Sequence, residues 1–177
     1  MIRRYPDDPV GSFPEPPRTI TDREGRAVHI RRGDATDRTA LIEMYSRFDS
    51  ADRAQGIPPS RETAIERWLN NILADECRNV VASHDGDVVG HATLVPDEQE
   101  GYELAIFVLS EYQGAGIGTA LVETLLGFAQ SDGIEQVWLT VERWNDPAIA
   151  LYRKVGFETS NSERFELEMG IRLAGDS

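Results

Sequence analysis

One cysteine, Cys77, and one lysine, Lys154, stand in a chain of 177 residues. A single cysteine closes no internal disulfide and anchors no metal cluster. No matched His and Asn motif makes it a nucleophile, so a partly buried, inert side chain is expected. No apolar run exceeds about ten residues, whereas a membrane-spanning helix needs about 20. The opening Met-Ile-Arg-Arg-Tyr-Pro-Asp-Asp has no apolar signal core, and the expectation is a cytoplasmic protein. Positive charge is scarce as well. Only 18 basic residues, all but Lys154 arginine, face 31 acidic ones, for a formal charge of −13. Nucleic acid selects a basic stripe and is not an expected partner. The acids are spread rather than blocked, which reads as a strongly hydrated surface suited to high salt. A field that steers cationic substrates is the other reading.

The length suits one domain with a proper core. Residues 1–26 hold five of the nine prolines and no helical period, and read as an extended arm before a single domain over 27–177. Ala27 to Arg31 reads as a strand. Asp34 is placed to cap a helix carrying Leu41, Ile42, Tyr45 and Phe48, and Ser60 to start another with Ile65, Trp68, Leu69 and Ile72. Gln55 to Pro59 separates the two. Asn79 to Ser83 and Val88 to Val95 form a hairpin through His84-Asp85-Gly86-Asp87. Strands over Tyr102 to Leu109, Glu135 to Val141 and Arg164 to Ile171 follow. The helix after residue 116 carries Ile117, Leu121, Leu125 and Phe128 on one side, and Asp146 to Lys154 is a short helix with Asp146 as its expected cap and Pro147 at its first helical position.

Between the strand ending at Leu109 and that longer helix stands Gln113-Gly114-Ala115-Gly116-Ile117-Gly118. Glycine lets the backbone approach a ligand closely, and a helix start aims unpaired N–H groups and a positive dipole end at the same point. The segment suits a pyrophosphate. It lacks the lysine of a P-loop and the Gly-x-Gly-x-x-Gly spacing of a dinucleotide fingerprint. What it matches is Gln/Arg-x-x-Gly-x-Gly/Ala. Further on, Asn145-Asp-Pro-Ala-Ile-Ala-Leu-Tyr152-Arg-Lys-Val-Gly156-Phe157 repeats the Asn-x-x-Ala-x-x-Leu-Tyr-x-x-x-Gly-Phe pattern. With both motifs in this order, residues 27 to about 171 resemble the GNAT superfamily of acetyl-CoA-dependent N-acetyltransferases.

That resemblance implies an α/β fold with a central mixed, mostly antiparallel sheet of 6–7 strands and about four helices. Two parallel strands would splay at a bulge, leaving a slot for the pantetheine arm. It implies cofactor contacts from Gln113, Gly114, Ala115, Gly116, Ile117, Gly118 and Thr119, from the backbones of Phe107 and Val108, and from Asn145. Acetyl-CoA is the implied co-substrate, no metal is required, and a homodimer is compatible with the reading.

Amine acetylation needs a base, because a lysine-type amine with pKa ~10.4 is charged at pH 7. It also needs an acid for the departing thiolate. Tyr152 matches the family tyrosine near the thioester sulfur; simple packing in the last helix is the competing reading. Glu103, ten residues before Gln113, matches the catalytic glutamate of Pat-type protein-lysine acetyltransferases, and a solvated glutamate is the competing reading there. Glu100 and Glu142 are alternative bases. Thr140 stands where ribosomal-protein acetyltransferases carry glutamate, which weighs against that role. His91 reads as a packed, hydrogen-bonded residue. The Asp/Arg-x-Gly-Arg-x-Val-His-Ile-Arg pattern, 22–31, also looks Pat-type, so a protein lysine leads as acceptor over a small-molecule amine. A non-catalytic acetyl-CoA sensor is the alternative from another class. Asp49, Asp52 and Arg53, between the first two helices, would face the acceptor.

Overall fold

A computed structural model describes residues 2–49 and 58–175. One sheet has the order β1-β2-β3-β4-β5-β6-β8-β7. Its strands are β1 (Arg18–Thr21), β2 (Ala27–Arg32), β3 (Arg78–His84), β4 (Asp87–Pro96), β5 (Tyr102–Val108), β6 (Gln136–Glu142), β7 (Glu158–Ser162) and β8 (Glu166–Arg172). The helices are α1 (Arg38–Ser46), α2 (Glu62–Ile72), α3 (Ile117–Ser131) and α4 (Asp146–Val155). Only β5 and β6 pair in parallel; every other neighbouring pair is antiparallel. Eight strands replace the expected 6–7. Arg18–Thr21, within the proline-rich stretch, pairs with β2, and the last strand is divided into β7 and β8.

Successive side chains of a strand point to opposite faces, and β5 shows what lies on each. Phe107 meets Tyr45 of α1 and Trp68 of α2 edge-on, with centroids 5.5 and 5.4 Å apart. Ile106 points the other way, toward the start of α3. The sheet is therefore sandwiched, with α1 and α2 on one face and α3 on the other, and α4 packs beside α3. The β3–β4 hairpin turns at Asp85 and Gly86, both left-handed (φ 51° and 85°) as its two-residue turn requires.

Sequence placed two helix starts a residue or more away from where they lie. Asn145, not Asp146, caps α4, its Oδ1 accepting from Ala148 N at 3.4 Å, and Asp146 and Pro147 open the helix. The residue before α2 is Arg61, with no capping side chain, so Ser60 plays no such part. Asp34 does cap, but it caps the short 3₁₀ turn Ala35–Asp37 that leads into α1. The break at 55–57, Asp52 and Arg53 lie outside the described residues.

α3 is buried nearly all round, not along one stripe, because the arm crosses its outer side. Gly127 has no Cβ where the Pro14 carbonyl rests on it. Arm contacts continue along the edge of the domain: Arg172 Nε donates to Pro6 O (2.8 Å), Val10 N to Arg172 O (2.7 Å), Ala174 N to Val10 O (2.8 Å) and Phe13 N to Gln130 Oε1 (2.9 Å). Among the described residues no helix is long and apolar enough to cross a membrane.

The core holds one polar chain. Asn79 Nδ2 donates to Ile72 O (2.8 Å), which leaves its Oδ1 to accept from His91 Nε2 (2.7 Å). Nδ1 of that ring then accepts from the Tyr45 hydroxyl (2.6 Å). His91 is thus a buried, hydrogen-bonded residue, and burial pushes its pKa down to about 3.

Candidate active site

The loop between β5 and α3 is shaped by two glycines. Gly114 and Gly116 have φ of +73° and +95°, with open space where a Cβ would be. Gly118 is small for a different reason: a Cβ there would lie 3.2 Å from Leu151 Cδ1 and 3.7 Å from Ile106 Cδ1. Its role is to let α3, α4 and β5 close together. Ala115 is buried, whereas Gln113 reaches back and donates from Nε2 to Val108 O (2.9 Å). No side chain caps α3 at Gly116. The N–H groups of Ile117, Gly118 and Thr119 are thus the orphans that a phosphate would satisfy. Gly116→Ala forces a left-handed L-residue at a cost of roughly 1–2 kcal/mol. The expected result is a lower thermal midpoint and several-fold weaker acetyl-CoA binding, read by thermal unfolding with and without the cofactor.

β5 and β6 share only two register pairs, Tyr102↔Val137 and Glu103↔Trp138, and then diverge. Beyond them lies a slot. The β4–β5 ladder keeps its register from Gly90↔Val108 to Pro96↔Tyr102, so the splay needs no bulge on that side. Leu109 N donates to Val89 O. With a strand period of two, the odd residues of β5 turn their amides to β4 and the even ones turn theirs to the slot. By that alternation the Phe107 amide belongs to the β4 ladder, and its ring packs under α1 and α2. The same alternation turns the backbones of Val108 and Ile106 toward the slot.

Tyr152 lies on α4, is almost wholly buried, and packs against Phe157 with centroids 5.8 Å apart. Burial raises its pKa strongly, so the phenol stays protonated. Its hydroxyl makes no hydrogen bond to a described residue. Yet Thr93 Oγ1 is the only fully enclosed side-chain polar atom without a partner among the described residues, so the Tyr152 hydroxyl opens to solvent or ligand.

Glu103 shares its face of β5 with Phe107, opposite to Tyr152. The residue as a whole is exposed, but local burial first, then Asp97, Glu166 and Glu168, raise its carboxyl pKa; Arg3 opposes them. Trp138 lies beside it, its Nε1 donating to Asp97 Oδ2 (2.9 Å). Over the indole, 3.3 Å from the ring centroid, sits the Arg3 guanidinium, which also pairs with Glu168 (3.2 Å) and Asp97 (3.5 Å). Sequence reasoning did not find this group, because Arg3 and Glu168 are 165 residues apart. Glu100 is exposed beside a cavity of about 330 Å³ lined also by Ile2, Arg3, Tyr5, Gln99 and Gln136. Glu142 accepts from Trp144 Nε1 (3.1 Å), and Trp144 with Phe165 makes an exposed aromatic pair. Among the described residues no group of His, Cys, Asp and Glu could hold a metal ion.

A phosphate loop at the mouth of a slot between diverging parallel strands defines an acyl-CoA-binding fold, and the chain belongs to the acetyltransferase (GNAT) family, whose model matches residues 39–157. Uncharacterized N-acetyltransferases of Mycobacterium tuberculosis and Mycobacterium bovis are 35% identical over 97 residues, 54% of this chain. That match spans 62% of their length. The L-amino acid N-acetyltransferase AaaT of Escherichia coli is 29% identical over 152 residues, covering 81% of this chain and 91% of that one. Among solved structures, the GNAT domain of the S. lividans PAT superposes with a TM-score of 0.77 at 17% identity, over 89% of this chain and 97% of its own. That likeness shows the fold. A Salmonella typhimurium relative in fold, yncA, was solved with its cofactor acetyl-CoA (TM-score 0.67, 20% identity, 85% and 96% covered). The donor set here suits the same cofactor: backbone N–H groups for phosphates and unpaired strand amides for pantetheine.

Proposed function

We propose that the protein is an acetyl-CoA-dependent N-acetyltransferase whose acceptor is a cationic amine, foremost a protein lysine. The observation that carries this reading is the slot with Glu103 on one face and the protonated Tyr152 on the other. Acetyl-CoA lies with its phosphates on the 113–119 loop and its thioester between the strands. Gln113, Gly114, Ala115, Gly116, Ile117, Gly118 and Thr119 shape that loop, Val108 offers its strand N–H while its carbonyl is held by Gln113, and the Nδ2 of Asn145 remains for the arm. Glu103 takes the proton from the ammonium, the neutral amine attacks the carbonyl carbon, and the tetrahedral intermediate collapses. The carbon–sulfur bond breaks, Tyr152 protonates the leaving thiolate, and its phenolate takes back the second proton that the acylated nitrogen sheds on becoming a neutral amide.

Support for a cationic acceptor comes from the surface around Glu103. Strand alternation puts Trp138 and Thr140 of β6 and Glu166 and Glu168 of β8 on its face. An arginine of the chain itself already rests there on an indole between carboxylates. A lysine ammonium suits the same cradle. A small amine or amino acid is the second reading, favoured by the likeness to AaaT over most of both chains. A sensor that binds acetyl-CoA without turning it over is the third.

The test is acetyl-CoA-dependent release of free CoA across lysine peptides, N-terminal peptides and small amines, at low and molar salt. Turnover concentrated on lysine peptides is the expected result. Turnover on amino acids alone would replace the acceptor assignment. Tight cofactor binding with no turnover on any acceptor would overturn the catalytic one.

A further inference from the structure

From Asn79 to Glu142 the chain contains no lysine or arginine. That stretch supplies β3 after its first residue, Arg78, together with β4 to β6, the phosphate loop and all of α3. The elements facing a pyrophosphate and a 3′-phosphate therefore bring only backbone N–H groups and a helix dipole worth about half a charge. Cations reach the loop from elsewhere. In the β1–β2 turn, Arg23 N donates to Ala115 O (3.0 Å), and its Nη1 donates to Gly114 O (3.3 Å). Arg26 stands 4.2 Å over the Tyr112 ring and donates to Glu111 O (3.3 Å). Arg47 pairs with Glu111 Oε1 (2.5 Å).

These three are not equivalent. Arg26 is neutralised by Asp22 at 2.7 Å and Arg47 by Glu111. Arg23 is exposed and pairs with no carboxylate among the described residues. The turn presenting it is fixed: the buried Asp22 Oδ1 accepts from Glu24 N (3.0 Å) and Arg26 N (2.9 Å), and Gly25 takes φ +80°. An uncompensated guanidinium is thus presented by a fixed turn at the carbonyl edge of a phosphate loop that has no charge of its own.

We propose that Arg23 is a ligand of the acetyl-CoA phosphates, supplying from the β1–β2 turn the cation that the loop and α3 lack. The inference rests on acetyl-CoA being the cofactor, so the parent protein is titrated first. Calorimetric titration with acetyl-CoA and with acetyl-dephospho-CoA, which lacks the 3′-phosphate, is then repeated on Arg23→Gln and Arg23→Lys. Glutamine keeps a donor for Gly114 O but no charge, and equal thermal midpoints verify the fold.

Arg23→Gln weakens acetyl-CoA about ten-fold or more and flattens the dependence of Kd on ionic strength, while Arg23→Lys stays within a few-fold of the parent. A loss with both cofactors assigns the contact to the pyrophosphate. A loss only where the 3′-phosphate is present assigns it there. Parent-like binding by Arg23→Gln overturns the inference and leaves Arg23 a brace for the loop. A parent that binds neither cofactor overturns the acetyl-CoA reading and this one together.

Discussion

Glu103→Gln lowers kcat on a lysine peptide by about 10²–10⁴-fold and leaves the Kd for acetyl-CoA unchanged. Glutamine preserves the shape beside Trp138 but accepts no proton from an ammonium. The pH profile sharpens the test. The base form of Glu103 disappears as pH falls through its pKa. That pKa is raised by burial first and then by Asp97, Glu166 and Glu168, so the acid limb of kcat/KM lies higher than an unperturbed glutamate would put it. In Arg3→Ala the one influence that lowers this pKa is gone, and the limb moves further up. If Glu103→Gln keeps parental turnover, the proton goes to another group, and Glu100 and Glu142 are next to be replaced.

Acidification costs this protein stability well before its carboxylates titrate. His91 has a folded pKa of about 3, against about 6.5 in the unfolded chain. Below pH 6.5 the unfolded chain takes up a proton that the folded one refuses. The stabilisation is complete above that pH and is lost as pH falls toward 3. Between pH 6.5 and 4.5 the loss is about 2 kcal/mol. The groups facing the ring are Tyr45, Asn79 and, at longer range, Asp37, whose charge opposes the shift. Asp22 and Asp37 have lowered pKa values, so their losses come at lower pH. Glu103, raised in the fold, works in the opposite sense over part of the interval. Urea midpoints against pH read the effect, and His91→Gln, though less stable at neutral pH, shows a flatter profile. Equal slopes in parent and variant would sink the account.

Loop and hairpin motifs were legible because each is fixed by residues a few positions apart. The 113–118 loop, the Asp85-Gly86 turn and the Asn145 to Phe157 motif all lie where spacing put them. Harder to read was anything set by a partner far along the chain. Whether Phe107 or Val108 faces the slot depends on which amides β4 claims, and no local pattern in β5 encodes it. The packing reason for a glycine at 118 was invisible because its neighbours, Leu151 and Ile106, come from two other elements. β1 was hidden by the prolines around it: four residues suffice for a strand once β2 offers an edge. Arg3 on Trp138 had no sequence signal at all.

The belt formed by the arm sets a schedule on the ribosome. Arg3 closes on Glu168, Pro6 on Arg172 and Val10 on Ala174, so an arm synthesised before the sheet has no seat until β8 emerges. Chain closure over such a span is slow compared with hairpin formation. The sheet from β2 to β6 can assemble while the arm still trails free, with the outer side of α3 bare where Pro14 will lie. Order of birth and order of docking are inverted in this molecule, and the interval between them is when a passing chaperone would find it.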